Sequence, residues 1–393
     1  MIHITHLRGK PRDVLSYNEH SHYYGSRATS ENECGGSDGR RSGVPSIWHG
    51  CAAEALRLFG DVDGEQFKKL LLAEGFGRQH HRRARLGTDV TMSAPKSISI
   101  AALALGDTRL VEEHDAAVCA MADYLEKTCV TTRYGKGGRR RLWTANSVAG
   151  IFRHEDARPV DGRADPDLHS HAIVVNLTQR GNGLWRTVDL HFGRRCQRLY
   201  LANEVYLARL AYGARYRCGY AIEPIGHRFE LAGIGESMRD AFSRRRQAVD
   251  TRLAMWGVSR TDSTPRQRAT ANYATRQRKV QIGQSRQHAE WRTRAEQMAL
   301  RRDELPVAEV PPDERQFKKL AEEVVADATR GADDCNETDV IRSILQDYYG
   351  RLRYEDVLRA VRESDGMSGA RAGRRGGEVE TWADCRRSFG IGM

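Results

Sequence analysis

The sequence contains no apolar run of about 18 residues, the least that spans a membrane as a helix, so we expect no membrane insertion. Its first residues, MIHITHLR, lack the apolar core of a secretory signal. The eight cysteines are scattered singly without a CxxC pair, which argues against a zinc ribbon and gives no sign of an oxidising compartment. We therefore expect a cytoplasmic protein.

Two further patterns are missing. There is no GxxxxGK[ST] phosphate loop, because Gly135-Lys-Gly-Gly lacks both the spacing and the hydroxyl, so we expect no use of ATP. Nor does any internal repeat recur with a period of about 20 to 50 residues, which argues against a solenoid. We therefore expect a globular chain that carries no ATP-driven motor.

Positive charge is in excess. Lys and Arg number 63 against 52 Asp and Glu, which gives a formal net charge of +11. Arginine is clustered, and its planar fork matches phosphate geometry well. The excess favours a polyanionic partner such as nucleic acid, although arginines spread over solvated faces would give the same total.

The apolar spacing predicts a mixed α and β chain. Helices are expected at 51–72, 108–127, 198–215, 248–255 and 265–298, and strands at 90–92, 98–100, 142–152, 168–177 and 184–190. Prolines at 306, 311 and 312 indicate a linker, followed by short helices at 313–328, 338–347 and 354–363 and a Gly/Arg-rich tail at 366–377.

The most informative motif is a pair of histidines on a predicted strand. His169 and His171 share a face because residues i and i+2 of a strand do. An antiparallel return would bring His154 beside them from the preceding strand. Three neutral imidazoles with open positions favour a Lewis-acid metal site over a closed structural one; the alternative is surface histidines flanking a polar loop.

Three tyrosines near the N-terminus are candidate nucleophiles. Tyr17 stands alone, and Tyr23-Tyr24 form a pair. A tyrosine hydroxyl, with a pKa of about 10, attacks only when a base or a cation lies beside it. Half-buried structural aromatics are the alternative.

Asp89 lies within an otherwise apolar strand. Because burying an unpaired carboxylate is costly, it needs a partner, and a metal-ligand histidine or an arginine would serve. Lys96 follows in the same block and could meet a phosphate, or simply be solvated after the Pro95 turn.

Together these motifs resemble those of the conjugative relaxases of the MobF (TrwC/TraI-like) type, which belong to the HUH endonucleases. The resemblance rests on Tyr17 and Tyr23-Tyr24, on Asp89 in LGTDVTMSAPKSISI, and on the histidines in FRHEDARPVDGRADPDLHSHAIVVN, all in family order. It predicts a relaxase domain over 1–300, with the linker, short helices and tail over 301–393.

The resemblance implies an α+β fold of the HUH/RRM-like kind, in which helices pack on a central antiparallel sheet that carries the histidines, with a helical C-terminal extension. It implies a strand-specific nickase acting on single-stranded or hairpin DNA at an origin of transfer. Partners would be a coupling protein and type IV secretion machinery, and the protein could be transferred to a recipient cell attached to DNA.

The resemblance also assigns roles. One divalent metal ion on His154, His169 and His171 would polarise the scissile phosphate; Mg or Mn comes first, and Zn, Co or Ni also suit nitrogen ligands. Tyr17 would attack to leave a 5′-phosphotyrosine and a free 3′-hydroxyl, and Tyr23 or Tyr24 would serve a later transfer. Asp89 would orient a histidine or accept the tyrosine proton. The DNA-binding candidates are Lys96, Arg153, Arg244, Arg245, Arg276 and Arg278.

Three other functions stay open at this point. An HUH replication initiator shares the chemistry, but usually places its tyrosine after the histidine pair. A catalytically silent basic DNA-binding module would keep the fold and form no adduct. A metal-dependent hydrolase would use water as the nucleophile and not need the tyrosines.

Overall fold

The computed structural model describes residues 2–9, 14, 45–77, 85–277, 283–310, 313–330 and 336–364. Tyr17, Tyr23, Tyr24 and Arg278 lie outside these described residues. The described strands are β1 His3–Leu7, β2 Ser46–His49, β3 Gly87–Ser93, β4 Val130–Tyr134, β5 Arg140–Trp143, β6 Ala149–Asp156, β7 Pro166–Val175, β8 Thr178–Gln179, β9 Trp185–Arg186, β10 Asp189–Leu190, β11 Ile222–Ile225 and β12 Arg228–Leu231.

The described α-helices are α1 Cys51–Ala55, α2 Gly64–Leu71, α3 Lys96–Ser99, α4 Thr108–Cys129, α5 Gln197–Tyr212, α6 Glu236–Ala241, α7 Arg244–Ala254, α8 Pro265–Ala274, α9 Gln284–Gln297, α10 Glu314–Thr329, α11 Glu337–Asp347 and α12 Tyr354–Glu363. Among the described residues, none of these helices combines the length and apolar character needed to cross a membrane.

A five-stranded antiparallel sheet lies at the centre, in the order β1-β3-β7-β6-β2. Strand β7 is its middle strand. One face packs on α4 and α5 through a large apolar cluster that includes Val90, Met92 and Ala172. The other face carries Phe152 and, with α1 and α2, a smaller cluster. The predicted α+β fold with a central antiparallel sheet and packed helices is confirmed.

Long amphipathic elements match their predictions closely. The side chain of Asp107 accepts a hydrogen bond from the backbone N–H of Arg109 at the start of α4, and the helix buries Leu110, Val118 and Met121 at helical spacing. The three short helices of the C-terminal extension also form, as α10, α11 and α12.

Shorter elements differ from prediction. The strand expected at 98–100 is wrong: Pro95 precedes a helix there, and residues 97–104 are buried on all sides, so period-two alternation misreads a fully buried helix. The single helix expected at 51–72 is two helices, because Asp63 caps a new start by accepting from Gln66 N–H.

Other predicted elements are interrupted. The strand expected at 142–152 is broken between β5 and β6, where the Ser147 N–H and hydroxyl both donate to the buried Glu126 carboxylate. The strand expected at 184–190 is two separate two-residue strands, and the helix expected at 265–298 is two helices, α8 and α9.

The C-terminal helices pack on the rest of the molecule. Leu345, Leu352 and Val361 are fully buried in the same apolar cluster as Val118 of α4 and Leu207 of α5. Tyr349 donates a hydrogen bond to the buried Glu204 carboxylate of α5. The extension therefore shares one core with the sheet, and the domain boundary at residue 300 stays a prediction.

Candidate metal centre

Three histidines meet on the face of the sheet that carries Phe152. His169 and His171 project from β7, and the ladder pairs His154 of β6 directly opposite His169. Their ring centroids lie 5.0 to 5.4 Å apart, and one nitrogen of each imidazole lies within 4.8 Å of the others. The three imidazoles can therefore reach one ion together.

Two of the histidines use Nδ1 for hydrogen bonds within the protein, so Nε2 is the candidate ligand atom of each. Nδ1 of His171 lies 2.8 Å and 3.0 Å from the two carboxylate oxygens of Asp89, and Nδ1 of His169 lies 2.7 Å from the Asp167 carbonyl oxygen. A ring that donates from Nδ1 carries its lone pair on Nε2. Burial lowers the pKa of His169 despite the nearby Asp167 carboxylate, so the neutral ligand form is favoured.

Asp89 is buried in β3 behind this cluster. Its side chain accepts from His171 and from the Thr91 hydroxyl at 3.2 Å. A carboxylate in this position fixes the tautomer and orientation of a metal-ligand imidazole. The donor set, three imidazole nitrogens of which one belongs to a ring that is hydrogen-bonded to a carboxylate, fits a divalent metal ion.

A pocket of about 220 Å³ opens beside the histidines. Besides His154 and His169, it is lined by Asp156, Ala157, Arg158, Asp167 and Arg245. The Arg245 guanidinium donates to the carbonyl oxygens of Thr275 and Asn272, which are neutral. Burial, with the nearby charges of Arg158 and Arg276, lowers the pKa of Arg245, but an arginine stays protonated. The pocket thus presents positive charge beside the three histidines.

The other predicted basic residues are placed differently. The Lys96 ammonium donates to the Pro166 carbonyl at 2.8 Å, at the start of β7. Arg153 projects to the opposite face of the sheet and pairs with Asp115. Arg244 pairs with Asp165 and Glu290, and Arg276 is exposed. Two of these charges are therefore compensated within the protein, and a role of the four in DNA binding stays a prediction.

The sequence did not single out the side chains that brace the loop between the histidines. Asp165 is 2% exposed and accepts from the Arg244 backbone N–H at 2.6 Å and from the Arg294 guanidinium at 2.7 Å. Glu155 accepts from His288 at 3.0 Å and from Gln284 at 2.9 Å. No spacing rule joins positions 79 or more residues apart, so α7 and α9 could be assigned this role only in three dimensions.

Comparisons with known proteins give a consistent result. The family model described as TrwC relaxase matches residues 17–298. The multifunctional conjugation protein TraI of Escherichia coli (strain K12) is 31% identical over 262 residues, which are 62% of this chain and 14% of TraI. The chain thus spans about one seventh of the length of the curated relatives it matches.

Solved structures of TrwC are also similar. A complex with a 27-mer DNA comprising the recognition hairpin and the cleavage site is 28% identical with a TM-score of 0.63, and covers 76% of this chain and 99% of that chain. Over the same shares, a metal-bound complex with oriT DNA is 28% identical and a copper-bound complex 29%, each with a TM-score of 0.64.

Proposed function

Since this chain belongs to the TrwC relaxase family, we propose that it nicks and rejoins one strand of DNA at an origin of transfer through a covalent tyrosine intermediate. The observation that carries the proposal is the convergence of His154, His169 and His171 beside a pocket that holds Arg245. Phosphoryl transfer needs a cation at the phosphate and fixed positive charge around it; the three imidazoles would hold the cation and Arg245 supplies the fixed charge.

The three histidines would hold one divalent ion, with Asp89 orienting His171. When bound, such an ion polarises the phosphate and stabilises the charge that develops on it. We propose Mg or Mn, the ions that phosphate transfer usually recruits, with Zn, Co or Ni as ligand-compatible alternatives. The copper-bound TrwC complex is consistent with nitrogen ligands that accept several metals.

Arg245 would position the phosphodiester. Its Nη1 and Nη2 atoms donate to Thr275 and Asn272, which contribute only neutral oxygens, so these contacts do not neutralise its charge. It lines the same pocket as His154 and His169. A guanidinium held in this way presents a fork that matches two phosphate oxygens.

The nucleophile of the proposal is the Tyr17 hydroxyl. Its oxygen forms a bond to phosphorus, the bond from phosphorus to the 3′ oxygen breaks, and the leaving oxygen takes a proton to become a 3′-hydroxyl. The phosphodiester energy is kept in the 5′-phosphotyrosine, so a 3′-hydroxyl can reverse the step without ATP. We propose Tyr23 or Tyr24 for a second transfer.

We further propose that duplex DNA binds at the other end of the sheet. Strand β5 of the small sheet β10-β4-β5 leads into the Ala149 end of β6, whereas His154 lies towards the opposite end, about 17 Å away at the rise of a strand. The strands of this small sheet and the loops beside them expose the basic residues Arg133, Lys136, Arg139, Arg140, Arg186, Arg194 and Arg195. Such contacts position DNA through its phosphates and make binding strongly salt-dependent. A coupling protein and secretion machinery are proposed partners by family membership.

Covalent capture on a denaturing gel tests the function. The protein is mixed with labelled single-stranded DNA of random sequence and Mn²⁺ or Mg²⁺, and a slowly migrating adduct is sought. We expect the adduct with the unaltered chain and with Tyr273→Phe, an exposed tyrosine of α8. Tyr17→Phe and EDTA should abolish it.

The outcomes separate the alternatives. Cleavage without an adduct would contradict the tyrosine mechanism and favour a water nucleophile. DNA binding without cleavage would favour the silent binding module. Sequencing of trapped strands identifies the nick site, and its position in a transfer origin or a replication origin distinguishes a relaxase from an initiator; the name of the TraI relatives favours the first.

A further inference from the structure

The residue between the two strand histidines faces away from the metal centre. Ser170 alternates with His169 and His171 along β7, so its hydroxyl enters the large apolar cluster under the sheet. Ser170 Oγ lies 2.8 Å from Nε2 of His114 in α4, and Nδ1 of His114 lies 2.8 Å from the Tyr206 hydroxyl of α5. We call these three residues the Ser170–His114–Tyr206 chain.

The Ser170–His114–Tyr206 chain is buried along its whole length. Ser170 and His114 are 0% exposed and Tyr206 is 1% exposed. Burial, with Arg153 and His169 nearby, lowers the pKa of His114 far below its ordinary value, so the ring is neutral. A neutral imidazole has one donor and one acceptor nitrogen, and each meets one hydroxyl here.

Ser170 and His114 cannot act as a catalytic pair, because no substrate can reach them. Serine and histidine at hydrogen-bond distance are the residue types of a nucleophile and its base. Because neither group is exposed, no substrate reaches the Ser170 hydroxyl. The pair must act on the protein itself.

Burying three polar groups in an apolar cluster is unfavourable unless every group is satisfied, and a satisfied network fixes a unique arrangement. This one joins β7 to α4 and α5 at the residue between two candidate ligands. Asp89 and the Asp167 carbonyl hold the rings of His171 and His169 from the metal face. Ser170 contacts His114 on the opposite face of β7, and this contact restrains the backbone that carries both imidazole rings.

We propose that the Ser170–His114–Tyr206 chain is a positioning device that sets the rotation of β7 about its axis and so aims His169 and His171 at the metal. The inference rests on the proposed metal role of the histidines. Ser170, His114 and Tyr206 are positioning residues that contact neither metal nor DNA.

Cobalt(II) titration of the 393-residue chain tests the proposal. Ser170→Ala removes the hydroxyl next to His114, and we expect the Co²⁺ dissociation constant to rise about tenfold, with a changed visible absorption spectrum because the ligand geometry is altered. Ser170→Thr keeps the hydroxyl and should restore both. Tyr206→Phe keeps the contact between Ser170 and His114, so its Co²⁺ dissociation constant should lie between those of Ser170→Ala and Ser170→Thr.

Tyr220→Phe is the matched control. Tyr220 is a buried tyrosine in the same apolar cluster, and its hydroxyl donates to Asp107 at 2.7 Å, away from β7. Loss of the Tyr220 hydroxyl should lower the melting temperature about as much as Ser170→Ala does, and should leave the Co²⁺ affinity and the absorption spectrum unchanged. If Ser170→Ala lowers only the melting temperature, as this control does, the positioning role is overturned. The Ser170–His114–Tyr206 chain then contributes to stability and not to metal binding.

The result also separates this inference from the proposed function. If the unaltered protein binds no Co²⁺, or binds it equally well as His169→Ala, the metal role of the histidines is wrong and both proposals fall. If binding depends on His169 but not on Ser170, only the positioning role falls.

Discussion

At the scale of single residues, the centre depends on hydrogen bonds made behind the candidate ligands. The imidazoles bring nitrogen atoms to one point, but Asp89 and the Asp167 carbonyl determine which nitrogen of His171 and His169 is available. Such partners fix the tautomer and orientation of the ligands, and losing one weakens metal binding measurably.

Asp89→Asn should therefore weaken metal binding although Asp89 contacts no metal in the proposed site. The amide cannot replace the charge that stabilises a donating imidazole, so we expect the Mn²⁺ or Co²⁺ dissociation constant to rise about 10- to 100-fold, as measured by equilibrium dialysis. Asp262→Asn, an exposed carboxylate, serves as the control and should have no effect. Unchanged affinity in Asp89→Asn would contradict this role.

His49 should give the fold a pH dependence unrelated to the metal centre. Burial opposes its charged form, but contacts with Asp123 and Cys119 prevail and raise its pKa to about 10. The contact to Asp123 is 3.1 Å, and His49 in turn lowers the pKa of Asp123. Because the folded pKa lies above the ordinary 6.5, the stabilisation is complete below about pH 6.5 and is lost as the pH rises through about 10.

Denaturant unfolding of the unaltered chain and of His49→Gln tests this. We expect the unaltered chain to be more stable by about 1 to 2 kcal/mol at pH 6, a modest value because Asp123 is half exposed. The difference should vanish near about pH 10.5. Asp123→Asn should remove the same pH-dependent part, and a difference that grows with pH would refute the assignment.

At the scale of elements, two distant helices brace the loop between the histidine strands. Asp165 joins the loop to the first backbone N–H of α7 and to Arg294 of α9, and Trp291 Nε1 donates to the Ala164 carbonyl at 2.8 Å. The strands alone set the ladder register of His154 and His169, but this brace fixes the loop that connects them.

Asp165→Asn should be strongly destabilising, because it removes the buried carboxylate that Arg244 and Arg294 share and leaves the partly exposed Glu290 to compensate both. We expect a loss of about 3 kcal/mol or more in the free energy of unfolding by urea. Asp303→Asn removes a carboxylate from an exposed pair with Arg301, and should change the free energy of unfolding far less, because solvent screens exposed pairs. If the two substitutions lower the free energy of unfolding equally, the contacts of Asp165 contribute no more to stability than an exposed ion pair does.

At the scale of the whole molecule, the C-terminal helices and the sheet form one apolar cluster. Ile341, Leu345 and Val361 are at most 1% exposed within it. The family match ends at residue 298, so this packing extends the folded unit beyond the matched segment.

A chain ending at residue 312 should therefore melt at a lower temperature than the full chain, since it exposes the apolar surface of α4 and α5 that α11 and α12 cover. Calorimetry measures the difference, and binding of a hydrophobic dye reports the exposed surface. If the longer chain shows the same transition as the shorter one and, in addition, a second separate transition, an independent domain after residue 300 would be supported instead.

The sequence by itself determined the elements with strong periodicity and the chemistry carried by local spacing. The i, i+2 rule places His169 and His171 on one face of any strand, and the apolar spacing of 108–127 permits little but a helix. Motif order was sufficient to identify the family. The local pattern failed at Ile98–Ile100, where burial on every side removes the periodicity that distinguishes helix from strand.

Only the tertiary structure decided what lies behind and around the histidines. The partners of Ser170, Asp165 and Arg245 are 27 to 129 residues away in the chain, and no spacing rule relates positions that meet through packing. It also separated arginines that look alike in sequence: Arg244 is paired with acids, whereas its neighbour Arg245, which lines the pocket, donates to neutral oxygens of Thr275 and Asn272. The reason is physical: composition fixes the number of charges, but the folded arrangement fixes which of them are already neutralised.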